Sequence, residues 1–135
     1  MINLRAFCDQ LSKELQLEEP IKEEASGIFS LPIEDEVSIK IEALPNGLSF
    51  YCILHECPKE NQERFFTEAM NANLFGDITR NCVLGLTEDG NRLTLSYIIH
   101  YNIDYKGFSE LLQDFYNIAL FWREQAINNL KILDS

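Results

Sequence analysis

The stretch YCILHEC sets Cys52, His55 and Cys57 close together. Two thiols and an imidazole in one short run could ligate zinc, and a Cys–His pair could activate a thiolate nucleophile. The surrounding LSFYCILH reads as a strand. In a strand residues 52 and 55 point to opposite faces, so one ion cannot take both without a bulge. A fourth ligand is missing from the run as well. Buried or edge positions are the simpler reading of all three side chains. A small thiol-dependent enzyme built on Cys52 or Cys57 would need tertiary contacts that the sequence does not show.

The remaining residue types offer less chemistry. His100 lies at a strand end. Carboxylates are numerous but fall on helix faces and in turns such as Glu34-Asp35-Glu36, where solvated surface explains them. No GxGxxG or Walker-type phosphate loop occurs. Gly85 is better read as a close-packing position in a strand and Gly90 as a turn residue. No catalytic residue, metal or cofactor is expected.

Composition narrows the classes further. The chain has 135 residues, 22 acidic against 11 basic side chains, and a net charge of -11. A phosphate backbone or an anionic membrane would be repelled, so neither nucleic acid nor membrane is expected as a partner. No run approaches the roughly 20 apolar residues of a membrane span, and the N-terminus MINLRAFCDQLSKEL lacks the features of a secretory signal. Four cysteines are too few for a disulfide scaffold, so the thiols are expected reduced and the protein cytoplasmic. The length fits one domain over 1–135 with one ordinary core.

The elements that would position any site follow from periodicity. A helix is predicted over 2–17, with Leu4, Phe7, Cys8, Leu11 and Leu15 in one apolar stripe and Pro20 ending it. Three strands are predicted between residues 26 and 55. The first runs from Ser26 to Ile33. The second, VSIKIEAL, alternates Val37, Ile39 and Ile41 with polar residues. The third, LSFYCILH, is apolar on both faces, which places it centrally or under a partner. Short connections, including Pro45-Asn46-Gly47, imply antiparallel pairing. A second helix is predicted over 58–74, with Phe66, Ala69, Met70 and Leu74 on its apolar face, Phe65 beside it, and Gly76 as its C-terminal stop. A hairpin near Cys82–Thr87 and Arg92–His100 turns at Glu88-Asp89-Gly90-Asn91. A last helix over 105–130 carries a wide stripe from Phe108 to Ala126, broad enough for a core and a further contact.

The predicted fold is α+β, in the order α-β-β-β-α-β-β-α, with a mostly antiparallel twisted sheet and helices packed on it. The helix ending Ala69-Met70-Asn71-Ala72-Asn73-Leu74-Phe75-Gly76, followed by Leu84-Gly85-Leu86, Asp89-Gly90 and Leu93-Thr94-Leu95, resembles the class I chaperones of bacterial type III secretion, the group that includes the chaperone of the Tir effector. The resemblance centres on residues 66–99, and the coarse architecture extends it over nearly the whole chain.

That resemblance implies a homodimer that binds one or more secreted effectors and holds an N-terminal effector segment extended, soluble and export-competent without using ATP. It implies a dimer interface at Phe66, Ala69, Met70, Leu74 and Phe75, with Leu84 and Leu86 close by. It implies effector contacts at Leu4, Phe7, Leu11, Phe29, Leu31 and Ile33, with strand pairing at an exposed sheet edge. The ATPase of the secretion apparatus is a further candidate partner. A generic dimeric interaction or regulatory module of similar fold is the competing class. Within that frame Leu74 and Phe75, at the apolar junction NANLFGDIT, read as the hinge of the interface.

Overall fold

The structure, a computed structural model, describes residues 3–34, 37–57, 62–75 and 82–134. Nine elements follow one another along the chain: α1 (Leu4–Glu14), β1 (Lys22–Ala25), β2 (Ile28–Glu34), β3 (Val37–Leu44), β4 (Gly47–Glu56), α2 (Gln62–Phe75), β5 (Val83–Leu86), β6 (Arg92–Ile99) and α3 (Tyr105–Asp134). The strands form one sheet in the order β1-β2-β3-β4-β6-β5, and every neighbouring pair is antiparallel. The α+β class and the order of the expected elements hold, with one strand added.

The added strand is β1. The segment KEEA is exposed at all four positions, so it carries no apolar alternation from which a strand could be read. Its backbone makes it a strand: Lys22 pairs with Ser30 and Glu23 with Phe29. The turn back into β2 passes through Gly27 at φ 77°, a conformation that glycine adopts without steric cost. What reads in sequence as one strand from Ser26 is therefore the second arm of a hairpin.

Helix α1 is shorter than its stripe suggests. Asn3 caps it by accepting the Ala6 N–H at 3.1 Å, as N-cap side chains do. Leu4, Cys8 and Leu11 are buried. Leu15 is the C-cap, and the chain then turns at Gln16, which sits at φ 53°. Leaving the helix at this point frees Leu15 from the core face, and it is 54% exposed.

The core lies between the sheet and the layer of α1 and α3. Alternation in β3 buries Val37, Ile39 and Ile41, and β4 contributes Leu48, Phe50, Cys52 and Leu54. Helix α3 lays Phe108, Leu112, Phe115, Ala119, Trp122 and Ala126 along this surface. Phe50 meets Phe115 at 5.4 Å and Phe108 at 6.1 Å between ring centroids, within the range in which aromatic pairs attract beyond their area. Phe7 joins the same cluster, 5.3 Å from Phe108.

Helix α2 packs differently from its predicted face. Phe65 is its buried anchor, Phe66 is half-buried, and Met70 is 69% exposed. The predicted helix start at Pro58 and stop at Gly76 lie outside the described residues. Strand β4 is central, as its apolar character suggests, but its second face is open: Tyr51 is exposed there.

Candidate functional site

The β4–β6 register shifts between Ile53 and His55, so that Ile53 faces Thr94 and His55 faces Leu93. A bulge of the kind needed to bring Cys52 and His55 onto one side is thus present. The donors nevertheless do not form a centre, because no three His, Cys, Asp or Glu side chains converge among the described residues. All four thiols are buried. Burial, reinforced by Asp9, pushes the Cys8 thiol up to about 12. Burial pushes Cys52 up to about 11 against the opposing pull of Arg123. Cys82 rises to about 11 through burial and Asp114, and Cys57 rises through burial alone. Nucleophilic cysteines need the thiolate, and these sites hold the thiol.

The concave surface lies elsewhere. A groove of about 490 Å³ opens at the end of the sheet. Leu11, Leu15 and Leu17 form one wall, from α1 and the turn after it. Ser109, Leu112, Gln113 and Tyr116 of α3 form the other. Leu31, Pro32 and Ile33 of β2 line it between them. The lining is almost wholly apolar, with Ser109, Gln113 and the Tyr116 hydroxyl supplying polarity. A second, more open depression of about 370 Å³ lies beyond the start of α1, lined by Leu4, Arg5, Glu23, Gly27, Phe29 and neighbours. Arg5 bridges Glu23 at 3.0 Å across its rim and so ties α1 to β1. This is an exposed ion pair and contributes well under about 1 kcal/mol.

The six residues expected to contact a partner divide between these surfaces. Leu11, Leu31 and Ile33 line the groove, and Leu4 and Phe29 line the depression. Phe7 is partly buried between them, against Tyr105 and Phe108. Leu4, Leu11, Phe29 and Leu31 are buried and present only their outer atoms. The accessible apolar surface of the groove comes more from Leu15, Leu17 and Tyr116, which the sequence did not assign to it. Leu15 continues the helical stripe in sequence, so nothing local marks it for the groove; Leu17, off the stripe just before Pro20, was the one local signal.

Of the residues expected at a subunit contact, Met70 and Leu86 are exposed, Phe66 is half-buried and Leu84 is buried. The side chains of Ala69, Leu74 and Phe75 lie outside the described residues. Val83, which the sequence did not single out, is 55% exposed. The β5–β6–β4 register sets Val83 opposite Ser96, and Ser96 opposite Tyr51. Val83, Tyr51 and the exposed Ile98 therefore share the open face of the sheet.

The model of the Tir chaperone protein (CesT) family matches residues 7–123. No curated protein matches the sequence closely enough to count. Among solved structures, a chain of the HopA1–SchA chaperone–effector complex superposes with a TM-score of 0.66 at 16% identity, covering 90% of this chain and 93% of that one. A chain from the complex of the Yersinia pestis type III secretion chaperone SycH with a stable fragment of YscM2 gives 0.63 at 15% identity, covering 86% and 96%. YbjN of E. coli, described as a regulator of transcription only provisionally, gives 0.57 at 16% identity, covering 90% of each chain. At these identities the likeness is one of fold, and the fold is shared by chaperones and by at least one protein not described as such.

Proposed function

The chain belongs to the Tir chaperone protein (CesT) family, and on that footing we propose that it is a type III secretion chaperone. It works as a homodimer in the bacterial cytoplasm, binds the N-terminal segment of one or more secreted effectors, and keeps that segment soluble, non-globular and ready for export. The family match across residues 7–123 carries this reading. The apolar groove and the thiols held protonated support it, since both suit a protein that offers surface rather than chemistry. The net charge of -11 suits it too: an acidic rim keeps an apolar-lined protein dispersed and draws basic cargo.

The test is genetic and biochemical together. Deleting the coding sequence in its native cell should abolish secretion of one or a few proteins while others continue, and restoring it should return them. Unchanged secretion of every effector would overturn the assignment. The likeness to YbjN favours one competitor, an interaction module of the same fold that serves a folded partner. Such a module would ignore a flexible N-terminal effector fragment, and the chaperone would retain it on an affinity column.

A further inference from the structure

Glu23, Phe29, Ile41 and Phe50 form a row across β1, β2, β3 and β4, each opposite the next. Directly opposed residues share a face of the sheet, and Phe29, Ile41 and Phe50 are buried in the core. Glu23 therefore stands on the core face, where the other three strands carry apolar side chains. Arg5 of α1 holds its carboxylate at 3.0 and 3.1 Å. The depression of about 370 Å³ lined by Leu4, Phe29 and Ala43 stays open beside it. A charge pointing inward from an edge strand deters another strand from adding to it. Strand β1 thus closes this edge of the sheet and leaves unfilled a place that suits an apolar side chain.

Little holds β1 in that position. All four of its residues are exposed, so its attachment to β2 is a matter of backbone bonds. Their direction follows from the pairing of β2 with β3. The Ala43 N–H donates to the Gly27 carbonyl at 2.9 Å, and bonded and non-bonded pairs alternate in an antiparallel ladder. Phe29 and Leu31 therefore turn their backbone groups toward β3, whereas Ile28 and Ser30 turn theirs toward β1. The exposed Arg5–Glu23 pair adds little in water. Ile21 is buried and donates its N–H to Ser12 at 2.9 Å, which anchors the chain just before β1. From there residues 22–26 are exposed throughout. The stretch from Lys22 to Ala25 lies against Ile28, Phe29 and Ser30 with one residue to spare, and that slack lets it bow outward.

We propose that β1 is a strap: in the free chain it shuts the edge of β2, and it gives that edge up to an extended segment of the effector that sets an apolar side chain opposite Phe29. This deepens the chaperone reading and rests on it. The family resemblance implies pairing at an exposed edge, whereas here the chain's own strand occupies the edge and must leave first. The exchange conserves the ladder, since Ile28 and Ser30 bond the newcomer as they bonded β1. Burial is what changes. The newcomer covers Leu4, Phe29 and Ala43 with an apolar group where β1 offers a carboxylate, and removing apolar area from water favours it. The displaced KEEA is exposed beforehand, so its release uncovers no apolar side chain of its own.

Hydrogen exchange followed by nuclear magnetic resonance tests the strap in the free chain, because alternate amides of β2 report different neighbours. The Ser30 amide, bonded to β1, should exchange about a hundredfold faster than those of Phe29 and Leu31, bonded to β3, as local opening does against opening of the core. Equal protection of the three would overturn the proposal. Capture is tested by fluorescence anisotropy with a labelled peptide of alternating valine and lysine, on the intact chain carrying Lys22→Cys and Ser30→Cys. These two residues are direct partners, at a separation a disulfide spans. Closing that disulfide should weaken peptide binding about tenfold, and reducing it should restore binding, which also shows that the variant folds. The same peptide methylated on alternate amide nitrogens, and so unable to donate to β2, should bind the reduced chain about tenfold more weakly. Binding indifferent to the disulfide or to the methylation would overturn the proposal, as would a peptide that fails to bind the native chain. The two readings fail separately. Lost peptide capture with effector secretion still dependent on the chain removes the strap alone, and intact capture with secretion unaffected by deletion removes the chaperone assignment.

Discussion

The hydroxyl of Ser12 accepts the N–H of Ile21 at 2.9 Å while donating to the carbonyl of Cys8 at 2.8 Å. One buried side chain thus fastens the segment after α1 back onto the helix and sets the course of β1. Replacing Ser12 with Ala leaves the Ile21 N–H buried without a partner. An orphaned buried donor costs about 1–3 kcal/mol, so Ser12→Ala should lower the unfolding free energy by that amount, read as a fall in the urea midpoint at unchanged m. An unchanged midpoint would show that water reaches Ile21 and that the hydroxyl is dispensable.

Gly47 makes a second prediction, on the other side of the sheet. A β-carbon at this position would run into the carbonyl of Ile99 on β6. The obstacle is backbone held in a ladder, not the end of a flexible side chain. The β3–β4 turn therefore requires glycine for room, and Gly47→Ala should destabilise the fold by about 3 kcal/mol, at the upper end of overpacking costs. Gly90 offers a control. It has φ 74° but open space around it, so Gly90→Asn, a residue that tolerates this conformation, should cost little. Comparable melting temperatures for the two variants would contradict this account.

The sequence disclosed elements where burial imposed a period and hid them where it did not. Alternation in VSIKIEAL and the stripe of α3 from Phe108 to Ala126 are consequences of one buried face, and both were legible. β1 was not, since KEEA is held by backbone bonds and has no buried side chain. The groove was half legible for the same reason. Leu11 and Leu31 belong to core stripes and stand out. Leu15 counts toward a helical stripe until Gln16 takes the left-handed conformation and removes it. At YCILHEC, counting positions along a regular strand separates Cys52 from His55. The shift in pairing with β6 arises between strands and has no local signature.

The thiols predict a pH dependence with a definite sign. Cys8 is raised from 9.0 to about 12, and Cys52 and Cys82 from 9.0 to about 11. Unfolding exposes thiols that ionise near 9, while the folded protein keeps them neutral. Below pH 9 both states bind the proton and their contribution to stability is fully present. As pH rises from 9 toward 11–12 the unfolded state releases protons first, and stability falls. The urea midpoint should therefore decline across that window, and less steeply in a variant with Cys8, Cys52 and Cys82 replaced by Ala, compared with the same variant below pH 9. At pH 8 the native thiols should react with a water-soluble disulfide reagent only at the rate of opening. Fast labelling of the folded chain would show an accessible thiolate and reopen the case for thiol chemistry.

The proposed homodimer is tested best at residues that the folded protomer does not need. Leu84 is buried, so a charge there would unfold the chain and say nothing about assembly. Met70, Val83 and Leu86 are 69%, 55% and 46% exposed, and an aspartate at any of them spares the core. If α2 and β5 form the subunit contact, desolvating a carboxylate against an apolar partner costs several kcal/mol unless it is paired. A twofold interface contains each site twice, which doubles the penalty. Met70→Asp combined with Leu86→Asp should therefore give a monomer by light scattering, with far-ultraviolet circular dichroism unchanged. Val83→Asp separates two geometries. If the open face of the sheet carrying Tyr51 and Ile98 is part of the contact, Val83→Asp alone weakens the dimer. If α2 carries the contact unaided, only the Met70 variant does. A native chain that scatters as a monomer at tens of micromolar would remove the homodimer altogether.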